Sequence, residues 1–194
     1  MSSFLRRSLP MICHLALGFM LCAMNLAHAA SEEKLNYQQA RKALSDAQPA
    51  VRQVALATVW RLWGKSGDAA IDKLYQEGLD RMQDGDMPKA IKVFSDIIAK
   101  RPAFAEAWNK RATIYYMTGE YELSMQDCEE VIKRLPEHFG ALVGYAQMLA
   151  ERSQPERALA LMERASKINP YLANAELMMA ALRIQIENKR KNMI

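Results

Sequence analysis

From Ile71 onward the apolar residues recur at steps of three and four, as in Ile91, Phe94, Ile97 and Ile98. That spacing puts side chains on one face of an α-helix. The runs are interrupted by Gly85-Asp86, Gly119-Glu120 and Ser153-Gln154, which suit short turns, and by Pro102, Pro136 and Pro170, which cannot continue a helix. The pattern predicts pairs of helices joined by tight turns, and an all-α fold.

The interruptions are periodic. Segments starting at Ile71, Ala105 and Phe139 align without gaps, so the chain repeats every 34 residues. At the eighth position of each unit stand Gly78, Ala112 and Ala146, and at the twentieth Ala90, Ser124 and Ala158. Small residues there let two antiparallel helices approach closely. The fourth position carries Leu74, Trp108 and Leu142, and the twenty-fourth Phe94, Cys128 and Met162, as apolar anchors. Three positions depart from this scheme. Glu77 and Arg111 share a position that carries Tyr145 in the third unit, and Arg81 stands where the other units carry Tyr115 and Leu149, which predicts wetter contacts around them.

This pattern resembles the tetratricopeptide repeat family, most closely in the middle unit, where Trp108, Ala112, Tyr115, Gly119-Glu120-Tyr121 and Pro136 fall at signature places. More narrowly, the stretch around Phe104 to Tyr116 is similar to a group of small exported bacterial members, a likeness that implies no particular activity. The resemblance implies a solenoid of three helix-turn-helix units (71–104, 105–138 and 139–172), within a repeat region of 69–170. Unpaired repeats expose an apolar face, so both ends need caps. Residues 171–194 are expected to supply a capping helix and tail. Residues 30–68 are expected to form a helical pair with its connection. Pro49 opens the second helix of that pair, Asp68 is the candidate N-cap of the first repeat, and the pair is expected to pack on the first unit.

The first 29 residues are of another kind. Arg6 and Arg7 precede the largely apolar stretch Leu9 to Met24, and Ala27-His28-Ala29 follows. These are the three parts of a secretory signal, and cleavage is expected after Ala29. An uncleaved inner-membrane anchor is the alternative. Cys22 is preceded by Leu21, not by the small residue a lipoprotein signal requires. Removing the signal lowers the formal charge from +4 to +2 and leaves one cysteine, Cys128, and one histidine, His138. What remains has no phosphate-binding stripe, so nucleic acid is not an expected partner.

Candidate chemistry is sparse. Cys128 takes a packing position beside Glu129 and Glu130, acids that would raise its pKa, so a structural role is expected and an enzyme using Cys128 is the minor alternative. His138 is expected in the linker between units, without a positioned partner for general-base work. One Cys, one His and scattered carboxylates make no metal-ligand spacing. There is no phosphate loop, dinucleotide turn or hydrolase elbow, and no cofactor is expected.

What is left is surface. The family resemblance implies a concave groove lined from the first helix of each unit, through positions two, five, nine, twelve and thirteen. The candidate partner-binding residues are Tyr75, Leu79, Met82, Asn109, Thr113, Tyr116, Met117, Val143 and Gln147. Glu106 and Gly140 stand at position two, and Leu177 and Ile184 extend the set. Position five carries no Lys or Arg, so the basic clamp that some members use for a C-terminal carboxylate is not expected. The expected function is non-catalytic binding of another protein or peptide, by a periplasmic or secreted adaptor or assembly factor with no membrane span after cleavage. The chain's own terminal helices are the alternative occupants of the groove.

Overall fold

The computed structural model describes residues 36–192, so the expected signal, 1–29, lies outside the described residues. The chain divides after Gln39 into two units. Of the first, residues 36–39 are described and are helical. The second, from Ala40, holds every other described residue.

Among the described residues the structure is all-helical. Helix α1 covers residues 36–43, and α2 is Pro49–Trp63. Three pairs follow: α3 (Ala69–Gln83) with α4 (Met87–Lys100), α5 (Ala105–Met117) with α6 (Tyr121–Arg134), and α7 (Phe139–Glu151) with α8 (Pro155–Ile168). Helix α9 (Ala175–Lys191) closes the series. Each helix from α3 to α9 packs on the next, the topology of a helical solenoid.

The local causes repeat with the period. Asp68 caps α3, its carboxylate accepting from the amides of Ala70 (2.8 Å) and Ile71 (3.3 Å). Within each pair the first helix ends in the same double hydrogen bond. The amides of Asp86, Glu120 and Gln154 reach back five residues to the carbonyls of Arg81, Tyr115 and Leu149 at 2.8–2.9 Å. That closure requires a left-handed residue just before, supplied by Gly85 (φ 77°), Gly119 (φ 87°) and, without glycine, Ser153 (φ 57°).

Packing uses the small positions as expected. Gly78 is buried, and a Cβ there would stand 2.7 Å from the Phe94 ring, so the absent side chain sets how closely α3 meets α4. Phe94, Ala90 and Ile97 are fully buried in one cluster, and Leu149, Ala158 and Met162 lie in a second cluster toward α9. Trp108 is only half-buried. Its Nε1 donates to the Pro102 carbonyl (3.0 Å), and the Arg134 guanidinium lies 4.4 Å from the ring centre.

Arg111 is not the wet departure it resembles in the sequence. From α5 it makes a two-pronged pair with Asp127 of α6, both bonds 2.8 Å, while its third nitrogen donates to Ser95 of α4 at 2.9 Å. Asp127 is 4% exposed, so this bridge ties two consecutive repeats through nearly dry protein. Glu77 and Arg81 do form an exposed pair on α3, 3.9 Å apart.

Helix α2 corrects one expectation. It does not stack on the first unit as a preceding repeat would. The end of α2 passes over Tyr75, and its two tryptophans pack instead on His138 and Phe139, where the third unit begins. Arg41 pairs with Glu137 at 2.7 Å beside them, and the Arg52 guanidinium stacks 3.7 Å over Tyr171. Helical periodicity gives α2 an apolar face but does not say which surface that face covers.

Candidate functional site

The first helices α5 and α7 lie side by side, with α6 behind them, and leave a cavity of about 130 Å³ between them. Its polar lining comes from Asn109, Thr113, Tyr116 and Gln147, and its apolar floor from Ala112, Cys128, Ala141 and Met148. Gly140 and Gly144 face it from α7, and at Gly144 a Cβ would meet nothing within 4 Å. An apolar floor with a few polar groups at the rim suits the side chains of a bound segment.

A buried carboxylate holds one end of this wall. Glu106, 2% exposed, accepts from His138 Nε2 (2.8 Å), from Asn109 Nδ2 (3.2 Å to each oxygen) and from the Tyr75 hydroxyl (3.4 Å). The Lys110 ammonium stands 3.1 Å away. Burial alone would raise the Glu106 pKa, but the hydrogen bond from His138 and the Lys110 charge outweigh it and hold the carboxyl below its ordinary value. The imidazole of His138 is wholly buried, and its Nδ1 accepts the Ala141 amide (3.0 Å) as the N-cap of α7. A bare Nδ1 leaves the proton on Nε2, pointed at Glu106. Both nitrogens are therefore committed, and the ring has no open face for general-base work on a substrate. His138 is a structural joint with partners, and not the unpartnered linker residue its sequence position suggests.

The nine candidate groove residues divide. Asn109, Thr113, Tyr116 and Gln147 line the cavity together. Gln147 Nε2 donates to the Tyr116 hydroxyl at 2.7 Å across the two helices, and the Thr113 hydroxyl donates to the Asn109 carbonyl at 2.9 Å. Met117 is 60% exposed beside them. Leu79 and Met82 are partly buried against the first core cluster, and Val143 against the second. Tyr75 is a correction. It is 7% exposed, edge-on to Phe94 and Phe104, and offers a partner no ring face. Its position in the repeat points inward here because Phe104, the last residue of its own unit, and Glu106 of the next close over it.

Cys128 borders the cavity but is buried. Burial first, then the charge of Asp127, pushes its thiol up to about 12, which leaves a negligible thiolate fraction at neutral pH. Among the described residues no three His, Cys, Asp or Glu side chains converge to hold a metal ion.

Two signals for the Glu106–His138 joint were available in the repeat alignment. His138 occupies the last place of its unit, where the other two carry Phe104 and Leu172, and Glu106 stands one helical turn before Asn109 and Lys110. A polar residue in an apolar register calls for a buried partner. Nothing in the pattern announces the seat of Trp60 on Gly140.

Residues 75–136 match the family model described as tetratricopeptide repeat. A curated relative from Rhizobium etli, named as a TPR repeat-containing protein, is 37% identical over 108 residues. The alignment covers 56% of this chain and 53% of the relative, so the chain spans about half the length of the curated protein it matches. Among solved structures the chain is similar to the Yersinia enterocolitica type III secretion chaperone SycD in complex with a peptide of the translocator YopD. The TM-score is 0.57 at 14% identity, covering 61% of this chain and 95% of that one. The first TPR of Spaghetti (RPAP3), bound to an HSP90 peptide, gives 0.57 at 15% identity, covering 60% and 93%. MamA gives 0.57 at 13% identity, covering 82% and 85%. At these identities the structures show the fold, a solenoid of paired helices like that of tetratricopeptide repeat proteins.

Proposed function

We propose that this chain of tetratricopeptide repeats is a non-catalytic module that binds another protein, taking a peptide or a helix in the groove between α5 and α7. The observation that carries the reading is the cavity there, with Asn109, Thr113, Tyr116 and Gln147 around an apolar floor and Met117 exposed at its side. Aromatic, Met and amide side chains on a helical groove suit an amphipathic helix or an extended peptide. Two of the similar structures hold peptides of other proteins, which supports the same use of the fold here. Position five offers Tyr75, Asn109 and Val143, so an acidic C-terminus is not the ligand proposed.

Changing Tyr116 and Met117 together to Ser should leave the fold largely intact, since neither is fully buried and neither is an anchor of the repeat. Partner capture should fall tenfold or more, about 1.4 kcal/mol of binding free energy. Pull-downs with both proteins, alongside circular dichroism of the variant, make the comparison. A folded variant with undiminished capture would remove the groove from the account.

The same reading places the protein in the periplasm as an adaptor or assembly factor, on the strength of the basic, apolar and A-x-A segments at the start of the chain. Among the described residues no helix is long and apolar enough to cross a membrane. N-terminal sequencing of protein from the native host is expected to begin at Ala30. A start at Met1 would favour the inner-membrane anchor instead.

A further inference from the structure

Helix α2 packs less extensively on its neighbours than the helices of the stack from α3 to α9 do on theirs. Of its 15 residues only Ala55 and Val59 are buried, while Val54 is 68% exposed. The attachment is aromatic. Trp60 packs edge-on against Trp63, His138 and Phe139 with ring centres 5.2–5.4 Å apart, and Trp63 lies flat on the His138 imidazole at 4.4 Å. The indole of Trp60 fills the space a side chain at Gly140 would need, since a Cβ there would stand 2.7 Å from Trp60 Cη2. Gly140 also borders the cavity between α5 and α7. The seat of α2 and the groove are therefore contiguous.

We propose that α2 is a removable occupant of the groove's edge, an internal ligand that competes with the partner helix for the Gly140 seat. This rests on the groove reading above, and it adds what the partner presents: an amphipathic helix with aromatic residues three apart, as Trp60 and Trp63 are. The local chemistry favours release. The N-terminus of α2 has no side-chain cap and no acid in its first turn, so the helix depends on its docking for stability. Its connection to α3 contains Gly67 at φ 77°. Asp68 caps α3 from within that connection, so α3 keeps its N-terminus when α2 leaves. Release also reaches the cavity wall, because Trp63 stacks on His138, His138 donates to Glu106, and Glu106 holds Asn109.

The test uses the full chain and needs no partner. In hydrogen exchange, amides of 49–63 should exchange at least tenfold faster than those of α5 and α7, since local opening precedes global unfolding. A synthetic peptide of residues 49–64 should bind the W60S/W63S double variant at least tenfold more tightly than it binds the wild type, whose seat is filled. Adding Gly140→Leu to that variant should abolish peptide binding. The exchange pattern of α3 to α9 is the control for folding. Exchange of α2 in step with α5 and α7, loss of the α3–α9 pattern in W60S/W63S, or a peptide that binds neither protein would each overturn the proposal. Failure of the groove reading shows elsewhere, as undiminished capture by the Tyr116/Met117 variant.

Discussion

Replacing Glu106 with alanine is expected to destabilise the protein by about 3–5 kcal/mol, the range for breaking a buried, hydrogen-bonded pair from one side. The loss is large because four groups converge on one carboxylate: His138 Nε2, Asn109, Tyr75 and Lys110. His138 is fully buried and would keep an unpaired N–H beneath Trp63. Urea melts at neutral pH measure it, and a loss below about 1 kcal/mol would mean that water replaces the carboxylate and the joint is soft. The same group gives an acid dependence. The Glu106 pKa in the folded protein lies below its ordinary value of 4.5. Its contribution is therefore full above that value and is lost as pH falls through the lower folded one. Glu106→Gln should lack this component of acid destabilisation while keeping the shape of the site.

Replacing Arg111 with alanine should cost about 3–5 kcal/mol as well, by leaving the Asp127 carboxylate buried without its counter-charge. The diagnostic result is the double variant. Arg111→Leu with Asp127→Leu removes both charges and substitutes apolar volume, and it should recover at least half of the stability lost by Arg111→Ala. Thermal or denaturant melts of the three proteins test this. A double variant as unstable as the single one would show that the geometry of the bridge, with Ser95 as its third member, is what the repeat interface requires.

Much of the fold is legible in the sequence because the repeat is a local device copied at a fixed spacing. Small residues at Gly78 and Ala146, the left-handed turn at Gly119 and the cap at Asp68 each act within a few residues or one helix pair. The 34-residue register then carries the pattern from unit to unit. Long-range polar pairing is less legible. Arg111 reads as a blemish until Asp127 is seen at a position where the flanking units carry Val93 and Leu161. Tyr75 reads as groove-facing because the register says which helix face it occupies, while its burial depends on Phe104 at the end of its own unit and on Glu106 of the next. The docking of α2 is outside the repeat altogether. It depends on the missing side chain at Gly140 meeting an indole more than seventy residues earlier in the chain.

The central claim is that the groove between α5 and α7 receives another protein, and crosslinking from defined positions tests it most directly. A photoreactive residue at Thr113 or Gln147, both exposed on the cavity wall, is to be compared in the native envelope with one at Gln126, exposed on α6. The account predicts one discrete adduct from both groove positions, reduced by the Tyr116/Met117 double substitution, and none from Gln126. Adducts from Gln126 with none from Thr113 or Gln147 would contradict it.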